Sequence, residues 1–101
     1  MYIAMNRFRI LPSKEEEFIT LWKNRDSHLN QVEGFKSFNL LKGKINSDYT
    51  LYVSHSKWES ENHFLNWTKS SAFKKAHKNA GKNKHIYLGH PEFEGFVILD
   101  L

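Results

Sequence analysis

The sequence predicts an α+β fold in the order β-α-β-β-α-β, with four strands in one antiparallel sheet. Three observations predict it. Residues from Tyr2 to Leu11 alternate at period two, apolar residues recur at helical spacing after Pro12 and again after Ser60 and Ser70, and the polar stretch from Gly43 to Asp48 joins two strand-like runs into a hairpin.

In the first strand Tyr2, Ala4, Asn6, Phe8 and Ile10 share one face, with Ile3, Met5, Arg7 and Arg9 on the other. Asn6 is therefore a polar group in an apolar row, which costs about 1–3 kcal/mol unless its amide is hydrogen-bonded. Pro12 ends the strand. Ser13 and Glu16 have the spacing of a capping box opening a helix, in which Phe18, Leu21, Trp22, Arg25 and Leu29 recur before Gly34. Phe35 to Lys42 and Tyr49 to Trp58 are the hairpin strands, with Phe38 and Leu40 opposite Phe35 and Leu41. A short helix opens at Ser60 and carries Phe64 and Trp67; a second opens at Ser70, carries Phe73, Ala76, His77 and Ala80, and closes at Gly81. Lys82 to Gly95 has no sustained periodicity and reads as a long loop. Phe96 to Leu101 (FVILDL) is the final strand, completing a ferredoxin-like arrangement. With no repeat or linker, residues 1–101 are expected to form one domain.

Hydrophobic residues at 40% and aromatic residues at 15% exclude a disordered chain. A length of 101 residues leaves no room for a second domain built around a flavin or nicotinamide. With no cysteine, thiolate ligands and cysteine nucleophiles are excluded, and the six histidines become the first place to look for chemistry. No apolar run is long enough for a membrane span, and the start alternates where a signal peptide would be continuously apolar; the expectation is a cytoplasmic protein without a membrane partner.

The net charge of +4 is unevenly spread. Glu15, Glu16 and Glu17 lie together, whereas six lysines and no acid fall between Lys69 and Lys84, a field that favours an anionic ligand. That segment lacks interleaved aromatics, so a nucleic-acid partner is not expected. No nucleophile elbow, phosphate-binding glycine loop or zinc-type spacing is present. Apolar residues on both faces of the last strand and of the second strand leave apolar surface beyond what one layer of helices covers, which predicts a homodimer with its sheets packed face to face.

His77 shares a helix stripe with Phe73, Ala76 and Ala80, and the two alanines leave room for something flat and apolar beside the imidazole. Spacing alone favours a core or boundary histidine over a ligand and plain core packing for Trp67, while Asn6 is equally compatible with a bond to neighbouring backbone. His85 and His90 fall in the loop, while His28, His55 and His63 have no convergent partners in the pattern.

The string WESENHFLNWTKSSAFKKAH, from Trp58 to His77, carries the spacing W-x-S-x-x-x-F-x-x-W-x-x-S-x-x-F-x-x-A-H. It resembles the Isd-type heme-degrading monooxygenases, within the antibiotic biosynthesis monooxygenase (dimeric α/β-barrel) superfamily. Ala4-Met5-Asn6-Arg7-Phe8 is similar to that family's first strand, and Glu33-Gly34-Phe35 to the start of its second. The resemblance covers about residues 3 to 80 and implies a dimeric α/β barrel in which heme is both cofactor and substrate. It implies that His77 is the axial iron ligand, Asn6 the hydrogen-bond donor on the distal side, and Trp67 the residue pressing on the porphyrin. Phe64 and Phe73 would lie against the ring. A single neutral His leaves a coordination position open for O2, and electrons would come from a reductase or a small reductant outside the chain. Lys78 and Lys82 are candidates to meet the heme carboxylates. The same fold also serves a cofactor-independent monooxygenase acting on a quinol or polyketide-like aromatic, and a heme-binding module without turnover; spectra with added hemin separate these.

Overall fold

The computed structural model describes residues 1–25, 28–77 and 83–101. Its strands are β1 (Tyr2–Ile10), β2 (Phe35–Ile45), β3 (Thr50–Trp58) and β4 (Glu92–Val97); its helices are α1 (Glu15–Lys23), α2 (Glu61–Thr68) and α3 (Ser71–Ala76). Single 3-10 turns occupy Leu29–Gln31 and Lys84–Ile86. The strands form one sheet in the order β2-β3-β1-β4, with every neighbouring pair antiparallel. This is the predicted α+β, ferredoxin-like sheet, and it puts β1 at the centre.

Both caps expected after the hairpin form. Ser60 Oγ accepts from the His63 N–H at 3.3 Å and Ser70 Oγ from the Phe73 N–H at 3.2 Å, each satisfying a donor that the first helical turn leaves unpaired. In the hairpin turn Asn46 Oδ1 accepts from the N–H groups of Asp48 and Tyr49, at 2.8 and 2.9 Å.

α1 departs from expectation at both ends. Ser13 takes a left-handed conformation (φ 69°), Lys14 is the N-cap, and no side chain caps the helix. The Ser13–Glu16 capping box is not formed; Glu15, Glu16 and Glu17 instead place three carboxylates in the first turn, where the helix dipole favours negative charge. The helix stops at Lys23, so Arg25 and Leu29 are not part of it, and Leu29 opens a 3-10 turn instead. Gly34 (φ 84°) turns the chain into β2, and a Cβ there would overlap the His63 ring.

Two strand assignments also change. A bulge between Phe35 and Ser37 shifts β2 by one residue against β3, so Phe35, Phe38 and Leu40 all share the helix-facing side. The expected split of Phe35 from Phe38 is corrected accordingly. The last strand runs over Glu92–Val97 and not to Leu101. Tyr2 pairs with Val97, so β1 offers little to pair with beyond it, and Ile98 N–H reaches only the Met1 carbonyl at 2.9 Å. Glu92 and Glu94 belong to this strand because they point away from the helices and pair with Arg9 and Arg7 of β1.

On the helix-facing side the core falls into two clusters. Phe8, Ile10, Phe18, Tyr52 and Ile86 close one end, and Tyr2, Ala4 and Trp58 the other, joined by Phe35, Phe64 and Trp67. Between them, across the middle of the sheet, runs a polar row. Among the described residues no helix is long and apolar enough to cross a membrane.

Candidate active site

The polar row follows from register. Asn6 pairs with Ser54 in the β1–β3 ladder and Ala4 with Ser56, while Phe8–Tyr52 and Tyr2–Trp58 flank them. Side chains paired in an antiparallel ladder stand on the same face, so the apolar surface gives way to polar groups at mid-sheet. A cavity of about 570 Å³ lies over this row, within the roughly 300–1,000 Å³ of small-molecule and cofactor sites. All five residues singled out from the sequence, Asn6, Phe64, Trp67, Phe73 and His77, line it. Among the described residues the Asn6 amide has no hydrogen-bond partner, so backbone bonding does not account for it.

His77 is the C-cap of α3. Its backbone N–H donates to the Phe73 carbonyl at 3.0 Å, and its ring Nδ1 lies 2.8 Å from the same oxygen. A carbonyl only accepts, so Nδ1 carries the hydrogen and Nε2 keeps its lone pair. Burial lowers the imidazole pKa from 6.5; the bond to Phe73 opposes this shift and the charge of Arg25 adds to it. The ring is thus neutral at neutral pH, the form that can bind a metal.

Aromatic rings hold this histidine from the side. Phe73 stacks on it at 4.0 Å, and Trp67 meets Phe73 edge-on at 4.8 Å and leans on Trp58 at 5.4 Å. Among the described residues the Trp67 indole N–H is buried without an acceptor, and ring packing holds its place. Phe64 packs on Trp58 and stacks on Phe93 at 5.6 Å with planes 7° apart.

Arg25, Phe93 and Ser54 are among the lining residues that the sequence pattern did not single out. Arg25 sits with its guanidinium 4.1 Å from the Trp22 ring, and Trp22 in turn stacks on Phe38 of β2 at 5.4 Å. Burial lowers its pKa, and among the described residues no carboxylate pairs with it, so it brings a cation to the cavity wall. Phe93 lies in the segment expected to be loop. Ser54 was legible by the argument that singled out Asn6, since both are polar residues in an inward-facing row. Lys78 and Lys82, the expected carboxylate partners, lie outside the described residues, as do Ala80 and Gly81.

The remaining histidines stay apart from the cavity's lining. His55 is on the outward face opposite Met5, His85 contacts Glu17, and His90 is exposed. His63 does have partners, contrary to expectation: Nδ1 lies 2.6 Å from Ser60 Oγ and Nε2 4.0 Å from Glu33. No group of three or more His, Asp or Glu among the described residues could hold a metal ion by itself.

Residues 1–79 match the family of antibiotic biosynthesis monooxygenases. A heme-degrading monooxygenase of Listeria welshimeri is 39% identical over 84 residues, covering 76% of this chain and 69% of that protein. Among solved structures, an MhuD variant with two manganese protoporphyrin IX molecules per active site superposes with a TM-score of 0.74 at 20% identity, over 100% of this chain and 98% of that one. SnoaB, a cofactor-independent oxygenase from Streptomyces nogalater, superposes with a TM-score of 0.72 at 17% identity, over 99% and 94%. These structural likenesses concern the fold.

Proposed function

The chain belongs to the antibiotic biosynthesis monooxygenase family, and on that premise we propose that residues 1–101 form one such domain that binds heme through His77 and opens the porphyrin oxidatively, releasing iron. The observation that carries this reading is the state of the His77 ring. It is neutral, its hydrogen is committed to the Phe73 carbonyl, and the ring lines an aromatic cavity.

The residues present fit heme. A flat macrocycle needs an apolar slot, a neutral nitrogen ligand and a partner for its carboxylates; the cavity, His77 and Arg25 supply these. Bound heme supplies the iron at which O2 is reduced and is itself the ring that is cleaved. His77 Nε2 holds it from the helix side. Asn6 would offer amide N–H donors from the sheet side to hold and orient a small ligand bound there. Trp67, packed against Phe73 and Trp58, would be the rigid surface against which the macrocycle rests and by which its shape is tuned. Phe64, Phe73 and Phe93 keep water away, and Arg25 pairs with a carboxylate. Electrons come from a reductase or a small reductant.

The outward face of the sheet carries Ile3, Met5, Leu41, Leu51, Val53 and Phe96. A second copy of the chain covers it in this reading, giving a homodimer.

The test is hemin titration. Wild type gives a Soret band that His77→Ala loses or shifts, and aerobic ascorbate then bleaches the wild-type band. Asn6→Ala keeps the band but slows bleaching. A band that survives reduction in air leaves heme binding without turnover; no band at all transfers the cavity to a quinol or polyketide-like aromatic substrate.

A further inference from the structure

Ser54 stands directly across the β1–β3 ladder from Asn6, and directly opposed residues have Cβ atoms about 4.5–5.5 Å apart. Both side chains line the cavity. Ser54 is only 7% exposed, yet among the described residues its hydroxyl has no hydrogen-bond partner. Ser56, two positions along the same face, differs: its hydroxyl accepts from Trp58 Nε1 at 2.9 Å and donates to the Ala4 carbonyl at 3.4 Å. Ser56 is thus explained by packing and Ser54 is not. Among the described residues the one fully buried side-chain polar atom without a partner is Trp67 Nε1, so the Ser54 hydroxyl, itself unpaired, stays open to the cavity that its residue lines.

We propose that Ser54 is a second hydrogen-bonding group, beside Asn6, for the small ligand held between the sheet and the heme. This rests on the heme reading above. The two groups are complementary, because a hydroxyl both donates and accepts and can turn toward whichever atom Asn6 leaves unmatched. Together they form a two-point polar floor at the middle of the sheet, beneath the cavity.

Azide binding to the ferric heme complex of the full chain tests this without turnover. Ser54→Ala is expected to weaken azide by about tenfold or more, the loss of one hydrogen bond to a charged ligand, with hemin affinity within about twofold of wild type. The isosteric pair Ser54→Thr and Ser54→Val guards against a packing effect, since the two differ at one group. Tight azide binding by Thr with weak binding by Val supports the assignment. Equal azide affinity in Thr and Val, while Asn6→Ala weakens it, overturns the role of Ser54 and leaves the heme reading standing. Failure of wild type to bind hemin overturns both.

Discussion

The Phe73 carbonyl takes both hydrogens that His77 can offer it, the backbone N–H at 3.0 Å and the ring Nδ1–H at 2.8 Å. One oxygen therefore sets the end of α3 and the tautomer of the imidazole at once. A ring so held presents Nε2 without a rotamer search.

Its depressed pKa gives a pH dependence. Hemin affinity, titrated from about pH 8 to pH 5, should stay level through the ordinary histidine value of 6.5 and fall only below it, as His77 protonates. Stability follows the same sign: the unfolded ring gains its proton first, so stability present above pH 6.5 declines as the pH drops below that value. An affinity midpoint above 6.5 would contradict the buried, neutral ring.

Tyr52 and Glu15 form a second coupled pair, the phenol donating to the carboxylate at 2.7 Å. Burial first and Glu15 second push the Tyr52 pKa up to about 12, while the same bond lowers that of Glu15. The carboxylate contributes stability above its ordinary 4.5 that is lost as the pH falls through its folded value. The phenol contributes stability below 10 that is lost as the pH rises toward 12. Melting curves of Tyr52→Phe should therefore differ most from wild type between these limits and converge toward it at both extremes; a constant offset would show that the bond is not ionisation-linked.

Arg25→Gln should weaken hemin about tenfold, or ~1.4 kcal/mol, and leave the dimethyl ester of hemin unaffected. Equal losses for acid and ester would mean that Arg25 supports the cavity through Trp22 and does not meet a carboxylate.

Gly95 lies beneath the Tyr2 ring, and a Cβ at that position would overlap the phenol. Gly95→Ala should cost about 1–3 kcal/mol, the usual range for overpacking, read as a lowered Tm. Tyr2→Phe in the same chain removes the atom nearest the new methyl and should recover part of that loss. Full wild-type stability in Gly95→Ala would show that β4 shifts freely.

Local pattern reached as far as local forces decide. Asn6 was conspicuous because a lone amide interrupted an apolar face, and Ser60 and Ser70 announced their helices because a cap acts within three residues. Arg25 was misread as a helical position because the apolar spacing runs on past Lys23, whereas the side chain is placed by Trp22 and Phe38. The phase of β2 depends on a bulge that simple alternation does not reveal. Glu92 and Glu94 hid β4 because their charges are matched by Arg9 and Arg7, residues from the opposite end of the chain.

The division of the core into two clusters leaves the middle of the sheet outside the packing that holds its ends. Tyr2 with Trp58, and Phe8 with Phe18 and Tyr52, hold the two ends of the sheet, so residues 6 and 54 act as an exchangeable panel between fixed supports. In the role proposed for them, replacing that pair would change what the floor recognises while both ends still assemble.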